Sequence, residues 1–355
     1  MKKVFLGMAA MAFLFASCEQ DPNQTIIAEQ QEAQVDMSDF YLYTDDSDEK
    51  RSENAAEKCY SMKNLNRLLN ENPGLHKKMF NIEKNSRSIL AKKPAGAGNG
   101  NGGGGTDGGG GTTDPGDNLG VVNIPVVVHV VYSNSQENIS DQQINSQMDI
   151  LNEDFRAANS DASNTPSEFA GVVADSEISF TLASVQRYSN SRSEWGTRDD
   201  VKYAYPPVSP SNTLNIWVAN IGGGILGYAQ FPGGPASTDG VVISPQYFGN
   251  TGYVAAPYDG GRTATHEVGH YLNLRHIWGD GRCRQDDFVA DTPDSDGPNY
   301  GCPSYPTVNC RSTDMTMNYM DYVYDECMYM FSEGQKARMR TIFMDGGPRT
   351  GFVAN

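Results

Sequence analysis

The chain has 355 residues, room for one large domain beside a smaller one. Its net charge of −17 argues against a nucleic-acid partner, because phosphate contacts need clustered Lys and Arg. The same charge fits an exported surface and names no ligand by itself.

At the N-terminus, Lys2 and Lys3 precede an apolar run from Val4 to Phe15 that is too short to span a bilayer comfortably. Ala16-Ser17-Cys18 follows. The layout resembles a bacterial lipoprotein signal over residues 1–17, with Cys18 as the lipidated residue and Phe15 where such signals usually carry Leu. The membrane would then be met only through that N-terminal lipid anchor. An ordinary signal peptide with an incidental cysteine is the alternative.

Residues 18–57 are polar and acidic and read as disordered. A helical segment is expected over 58–94. Met62, Leu65, Leu68 and Leu69 recur at helical spacing until Asn72-Pro73-Gly74, and a second helix runs from about Leu75 to Leu90. Next, eleven of the sixteen residues from Gly96 to Gly111 are glycine, so residues 95–118 cannot bury a core and form a tether.

The second domain is placed at 119–355. Its first strand is IPVVVHVVY, residues 124–132, a β-branched run suited to a buried position. His129 inside it reads as a packed core histidine rather than a ligand, since its neighbours are apolar. Ser140 and Gln143 then make a capping box for a helix that puts Ile144, Met148, Leu151 and Phe155 on one face. Further strands are expected at 178–185, 214–219 and 240–244, with an edge strand or rim loop in GGGILGYAQFPGG between the last two. A final helix begins at Ser332. Strands mixed with two or three long helices give an α/β (α+β) sandwich-like domain.

HEVGHYLNLRH, residues 266–276, holds three of the chain's five histidines. His266 and His270 lie four apart and project from one helical face. His276 would sit about 240° around the same helix, so the helix must end near Asn273, a residue that tolerates the left-handed conformation. Three neutral imidazoles suit zinc with a fourth position open to water, and Glu267 can face that water as general base.

On these residues the chain resembles a metzincin metallopeptidase of the pappalysin family, over about 58–94 and 120–345. HEVGHYLNLRH matches the extended zinc motif except that Asn273 replaces the usual glycine. NYMDYVYDECMYMF, residues 318–331, resembles the family's Met-turn segment. Met320 would lie beneath the zinc, with Met317 and Met315 as rivals, and Tyr322 would reach the metal's far side. The resemblance implies a twisted mixed sheet with an active-site helix, preceded by a helical pro-segment. It implies disulfides Cys283–Cys310 and Cys302–Cys327. It also implies a structural calcium held through Asp287, Thr292 and Asp294, for which the alternative is a solvated acidic loop.

KCYSMKNLNRLLNENPGLHKKM resembles the family's pro-segment. Cys59 would then hold the fourth zinc position in a latent precursor, the alternative being a free or intermolecularly paired thiol. Substrate peptide is expected to pair with the edge strand at Gly227, Tyr228 and Ala229. Some pappalysins use an acid near the Met-turn to accept a basic side chain. Asp325 is that acid here, which implies cleavage before Arg or Lys and self-activation before Arg87, Lys92 or Lys93. The expected function is a zinc endopeptidase acting on peptides and proteins, in the cell envelope or released. The alternative class is a surface-anchored binding protein that keeps the fold without turnover, and a zinc enzyme acting on another bond is a third.

Overall fold

The computed structural model describes residues 35–44, 59–92 and 117–354. The expected signal, Cys18, most of the acidic segment, Lys93 and the glycine tether lie outside the described residues. Among those described, no helix is long and apolar enough to cross a membrane.

Two helices come first, α1 (Ser61–Glu71) and α2 (Leu75–Lys92), separated at Asn72-Pro73-Gly74 as the breaker residues require. Five strands follow: β1 (Val122–Tyr132), β2 (Ile178–Ser189), β3 (Leu214–Val218), β4 (Gly227–Ala229) and β5 (Val241–Ile243). They form one sheet in the order β2-β1-β3-β5-β4. All neighbours are parallel except β4, which runs antiparallel to β5 and forms the edge. This is a mixed sheet. β2 runs four residues beyond the expected end, because its second half keeps register with His129 to Tyr132 of β1 across a bulge.

The remaining helices are α3 (Asp141–Phe155), the short α4 (Asp200–Ala204), α5 (Arg262–Tyr271) and α6 (Glu333–Thr341). The Ser140 side chain accepts from the Gln143 amide at 3.1 Å, and Ile144, Leu151 and Phe155 are fully buried on the face turned to the sheet. α6 carries the full reciprocal capping box between Ser332 and Gln335. α5 packs against α3 and beneath β4 and β5, so the edge strand and the histidine helix lie side by side.

One expectation is corrected. Residues 35–44 fall inside the span read as disordered, yet they pack on the rest of the chain. Leu42 is 3% exposed in a cluster with Met62, Leu65, Leu75, Met79 and Phe231. The Tyr41 hydroxyl donates to the carbonyls of Gly279 and Asp286. Composition misled because Phe40, Tyr41 and Leu42 are three adjacent anchors in a polar stretch, too few to register as a pattern. His129 is a core residue as expected: fully buried, stacked on Trp217 at 4.9 Å and bonded to Asn215.

Candidate active site

α5 ends at Tyr271, and Asn273 takes a left-handed φ of 79°. That single turn reverses the chain and brings His276 back towards His266 and His270. Each ring is fixed by its Nδ1: His266 on the Tyr319 carbonyl at 2.7 Å, His270 on the Leu274 carbonyl at 2.8 Å, and His276 on the Asp280 carboxylate. With every Nδ1 engaged, the three Nε2 atoms are presented inward. Those of His270 and His276 are 3.1 Å apart. Burial, and then the other two histidines, hold His270 well below the ordinary imidazole range, so it is a neutral donor.

The thiol of Cys59 completes the group: one ligand atom from each of Cys59, His266, His270 and His276 lies within 4.8 Å of the others, all buried. Three imidazole nitrogens and one sulfur at that spacing fit a tetrahedral zinc-type ion. Burial, and then the Glu267 carboxylate, push the Cys59 thiol up; a bound cation would reverse that preference.

Cys59 is held there by the edge strand. It pairs in parallel with Gly227, and the Tyr60 amide donates to the Gly227 carbonyl at 3.0 Å. The Ala229 amide donates to Ser61 Oγ at 2.7 Å, and Ser61 Oγ donates to Glu267 at 2.5 Å. Asn64 donates to the Ala229 carbonyl at 3.1 Å. The backbone groups of β4 expected to take a peptide are thus engaged by residues 59–64. Gly227 lets β4 lie close against β5 and α5: a Cβ there would lie 2.8 Å from Ile243 Cδ1 and 3.0 Å from Glu267 Cγ. Burial raises the Glu267 carboxyl to about 7, opposed by the hydrogen bonds from Ser61 and Cys59.

Met320 is fully buried with its sulfur against Gly269, so it lies directly under the histidine helix. Tyr319 next to it donates to Asp154, which also accepts from Thr265. That buried carboxylate sets the position of the carbonyl that orients His266. The Tyr322 hydroxyl meets the Cys59 carbonyl at 3.5 Å, and its ring lies 5.7 Å from that of His266.

A narrow cleft opens beside His266 and Glu267, walled by Leu226, Tyr258, Arg262 and Asp325. Asp325 Oδ2 accepts from the amides of Gly260 and Arg262 at 2.9 and 3.1 Å. The irregular segment around the site is joined by Cys283–Cys310 and Cys302–Cys327, the pairing that the resemblance implies. In the acidic loop, Thr292 Oγ1 lies 2.8 and 2.9 Å from the two Asp287 oxygens and 2.8 Å from the Val289 carbonyl. The Asp294 side chain is exposed, while its carbonyl accepts from Ser312 at 2.8 Å.

Sequence reasoning missed three residues of the site. Asp280 follows His276 by four, a spacing that could have suggested an orienting carboxylate. Ser61 follows Cys59 by two, and on an extended strand the pair would share a face. Asp154 carried no local signal.

Comparison with known proteins places this arrangement. The family model Peptidase_M43, described as pregnancy-associated plasma protein-A, matches residues 208–344. Extracellular metalloprotease 1 of Coccidioides posadasii (strain C735) is 34% identical over 234 residues, covering 62% of this chain and 77% of the relative. An extracellular metalloprotease of Arthroderma otae (strain ATCC MYA-4605 / CBS 113480) is 30% identical over 226 residues, with 61% and 76% covered. Among solved structures, mature mirolysin of Tannerella forsythia in complex with a cleaved peptide is 48% identical with a TM-score of 0.64, over 65% of this chain and 95% of that one. A promirolysin mutant of Tannerella forsythia is 40% identical with a TM-score of 0.71, over 83% and 97%. Its wider coverage takes in more of this chain than the mature form does. Identity at this level over most of the relatives' length, together with the histidine geometry, establishes that the chain is a metallopeptidase of the pappalysin family.

Proposed function

We propose that the chain is an exported zinc endopeptidase made as a latent precursor, with residues 58–94 as the inhibitory segment. The observation that carries this reading is the convergence of Cys59 with His266, His270 and His276, next to a buried Glu267 bonded to Ser61. His266, His270 and His276 would hold the zinc, and Cys59 would supply a further ligand until the segment is removed. Bound zinc supplies Lewis acidity, polarising the scissile carbonyl and acidifying a water. Glu267 takes the proton of the attacking water and passes it to the leaving amine. Tyr322, whose hydroxyl now faces the Cys59 carbonyl, donates to the developing oxyanion. The peptide lies along Gly227, Tyr228 and Ala229 once residues 59–64 have left.

Asp325 in the cleft beside Glu267 supports cleavage before Arg or Lys. Among the candidate maturation points, Arg87 sits within α2 and is ion-paired to Glu83 and Asp39, so a cut there requires the helix to unwind. Lys92 is the last residue of α2 and is exposed, which favours that end of the segment. The oxygen cluster of Asp287, Thr292 and Val289 supports a calcium ion in that loop, with Asp294 the weaker member of the set. Lipid attachment at Cys18 rests on the sequence layout. A cleavage-site profile on a proteome-derived peptide mixture tests the reading. New termini beginning with Arg or Lys, absent with Glu267→Ala, are expected; a folded, zinc-loaded protein that cuts nothing would leave the binding-protein alternative in its place.

A further inference from the structure

A second pocket, almost filled by side chains, lies where α2 and residues 35–44 meet the catalytic domain. It flanks the histidines on the side away from Asp325. Leu226 walls the Asp325 cleft and Phe231 walls this one, with Gly227 to Ala229 between them. The Phe231 ring is 5.2 Å from that of His270. The catalytic domain contributes Asn273, Arg275 and Arg338 to this cavity, and the helical segment contributes Glu83.

The charges are divided unevenly between the two sides. Arg338 grips Glu83 through two hydrogen bonds of 3.2 and 2.7 Å, with both side chains 3% exposed. Its Nε donates to the Asn273 carbonyl at 2.9 Å, which points the fork outward from the turn. Arg275 lies over the Tyr41 and Phe288 rings and donates through Nη2 to the Tyr41 carbonyl at 2.7 Å, while its buried Nη1 has no hydrogen-bond partner. The Asn273 Nδ2 is also buried without a partner. Both cations belong to the catalytic domain, whereas the Glu83 carboxylate on Arg338 and the Tyr41 carbonyl on Arg275 belong to residues that the maturation cut would release; only the Asn273 carbonyl on Arg338 Nε stays. Departure of the segment leaves the Arg338 fork without its carboxylate, still oriented by the Asn273 carbonyl. The processed domain therefore carries a preformed anion cradle.

We propose that Arg275, Arg338 and Asn273 form a carboxylate-binding subsite, filled by Glu83 in the precursor and open to an acidic side chain of a peptide in the processed enzyme. This rests on the precursor reading above. Since the Asp325 cleft takes the residue after the cut, the cradle lies upstream of it. Arg338 supplies a bidentate grip, as it does to Glu83, and the two orphan donors complete the set.

Two measurements test it. In the full chain, Glu83→Ala opens the cradle without any processing, and acetate is the probe. Acetate should raise the unfolding temperature of this variant above that in chloride of equal ionic strength, and should do nothing for the wild type or for Glu83→Ala/Arg338→Met. Equal unfolding in the two salts overturns the cradle. In the second measurement, the chain processed at its tether is given peptide pairs with Glu or Gln at each of four upstream positions. At one position kcat/KM should favour Glu by about tenfold, the scale of a charge-assisted bond. Equal values at every position overturn the subsite, and this arm decides alone if Glu83→Ala does not fold. An enzyme that cuts no peptide while acetate still binds removes the peptidase reading and leaves only the anion cradle.

Discussion

Protonating Glu83 should loosen the helical segment from the catalytic domain, and the structure sets the size and the pH window of the effect. Burial by itself would raise this carboxyl. The Arg338 guanidinium, and after it Arg87, outweigh burial and bring it from 4.5 down to about 2. A depressed carboxylate contributes stability that is fully present above the unfolded value and is lost as the pH falls through the folded one. The drop from 4.5 to about 2 corresponds to about 3 kcal/mol, with no large discount for solvent because Glu83 is nearly inaccessible. The window therefore runs from about pH 5 down to pH 2. The assay is urea unfolding of the full chain beside Glu83→Gln at a series of pH values. Other acidic groups titrate in both proteins and cancel in the difference. Wild type should exceed the variant most at pH 6 and above, and the gap should shrink by about 3 kcal/mol as pH approaches 2. A gap that stays constant with pH would refute the ion-pair reasoning and leave packing as the whole effect.

Further outcomes follow from single contacts. Gly269→Ala places a Cβ 2.4 Å from the buried Met320 sulfur, so urea unfolding should show a loss of about 1–3 kcal/mol. Cys59→Ala should give a precursor that cleaves peptide before its segment is cut, read by activity in freshly purified, unprocessed chain; inactivity equal to wild type would sink the latency switch. Asp325→Asn should flatten the preference for Arg and Lys after the cut in a cleavage profile, and an unchanged profile would remove Asp325 from the pocket. Asp287→Asn should abolish any rise in melting temperature on adding calcium, and a wild type indifferent to calcium and its chelators would dispose of that ion altogether.

The chemistry of the site was legible in the sequence because most of it is encoded over short distances. A helix puts His266 and His270 on one face, and Asn273 supplies the left-handed turn that returns His276. The β-branched run of β1, the cap at Ser140 and the breaker at Asn72-Pro73-Gly74 are likewise local statements, and their elements stand within a few residues of where the pattern put them. The disulfide pairing was a different matter: four cysteines allow three pairings, and resemblance rather than spacing chose among them.

Tertiary structure decided what joins residues far apart in sequence. Ser61 meets Glu267 across 206 positions, and Glu83 meets Arg338 across 255. Neither pair leaves a periodicity or a motif behind, because an ion pair or a hydrogen bond needs only two side chains brought into reach. Val35 to Thr44 shows the same limit, since three anchoring side chains among polar residues become a docking strap only when Phe231, Arg275 and Phe288 are there to receive them. Local chain geometry determined the three-histidine motif and the helix that carries it, while packing between distant segments determined how that site is covered, oriented and charged.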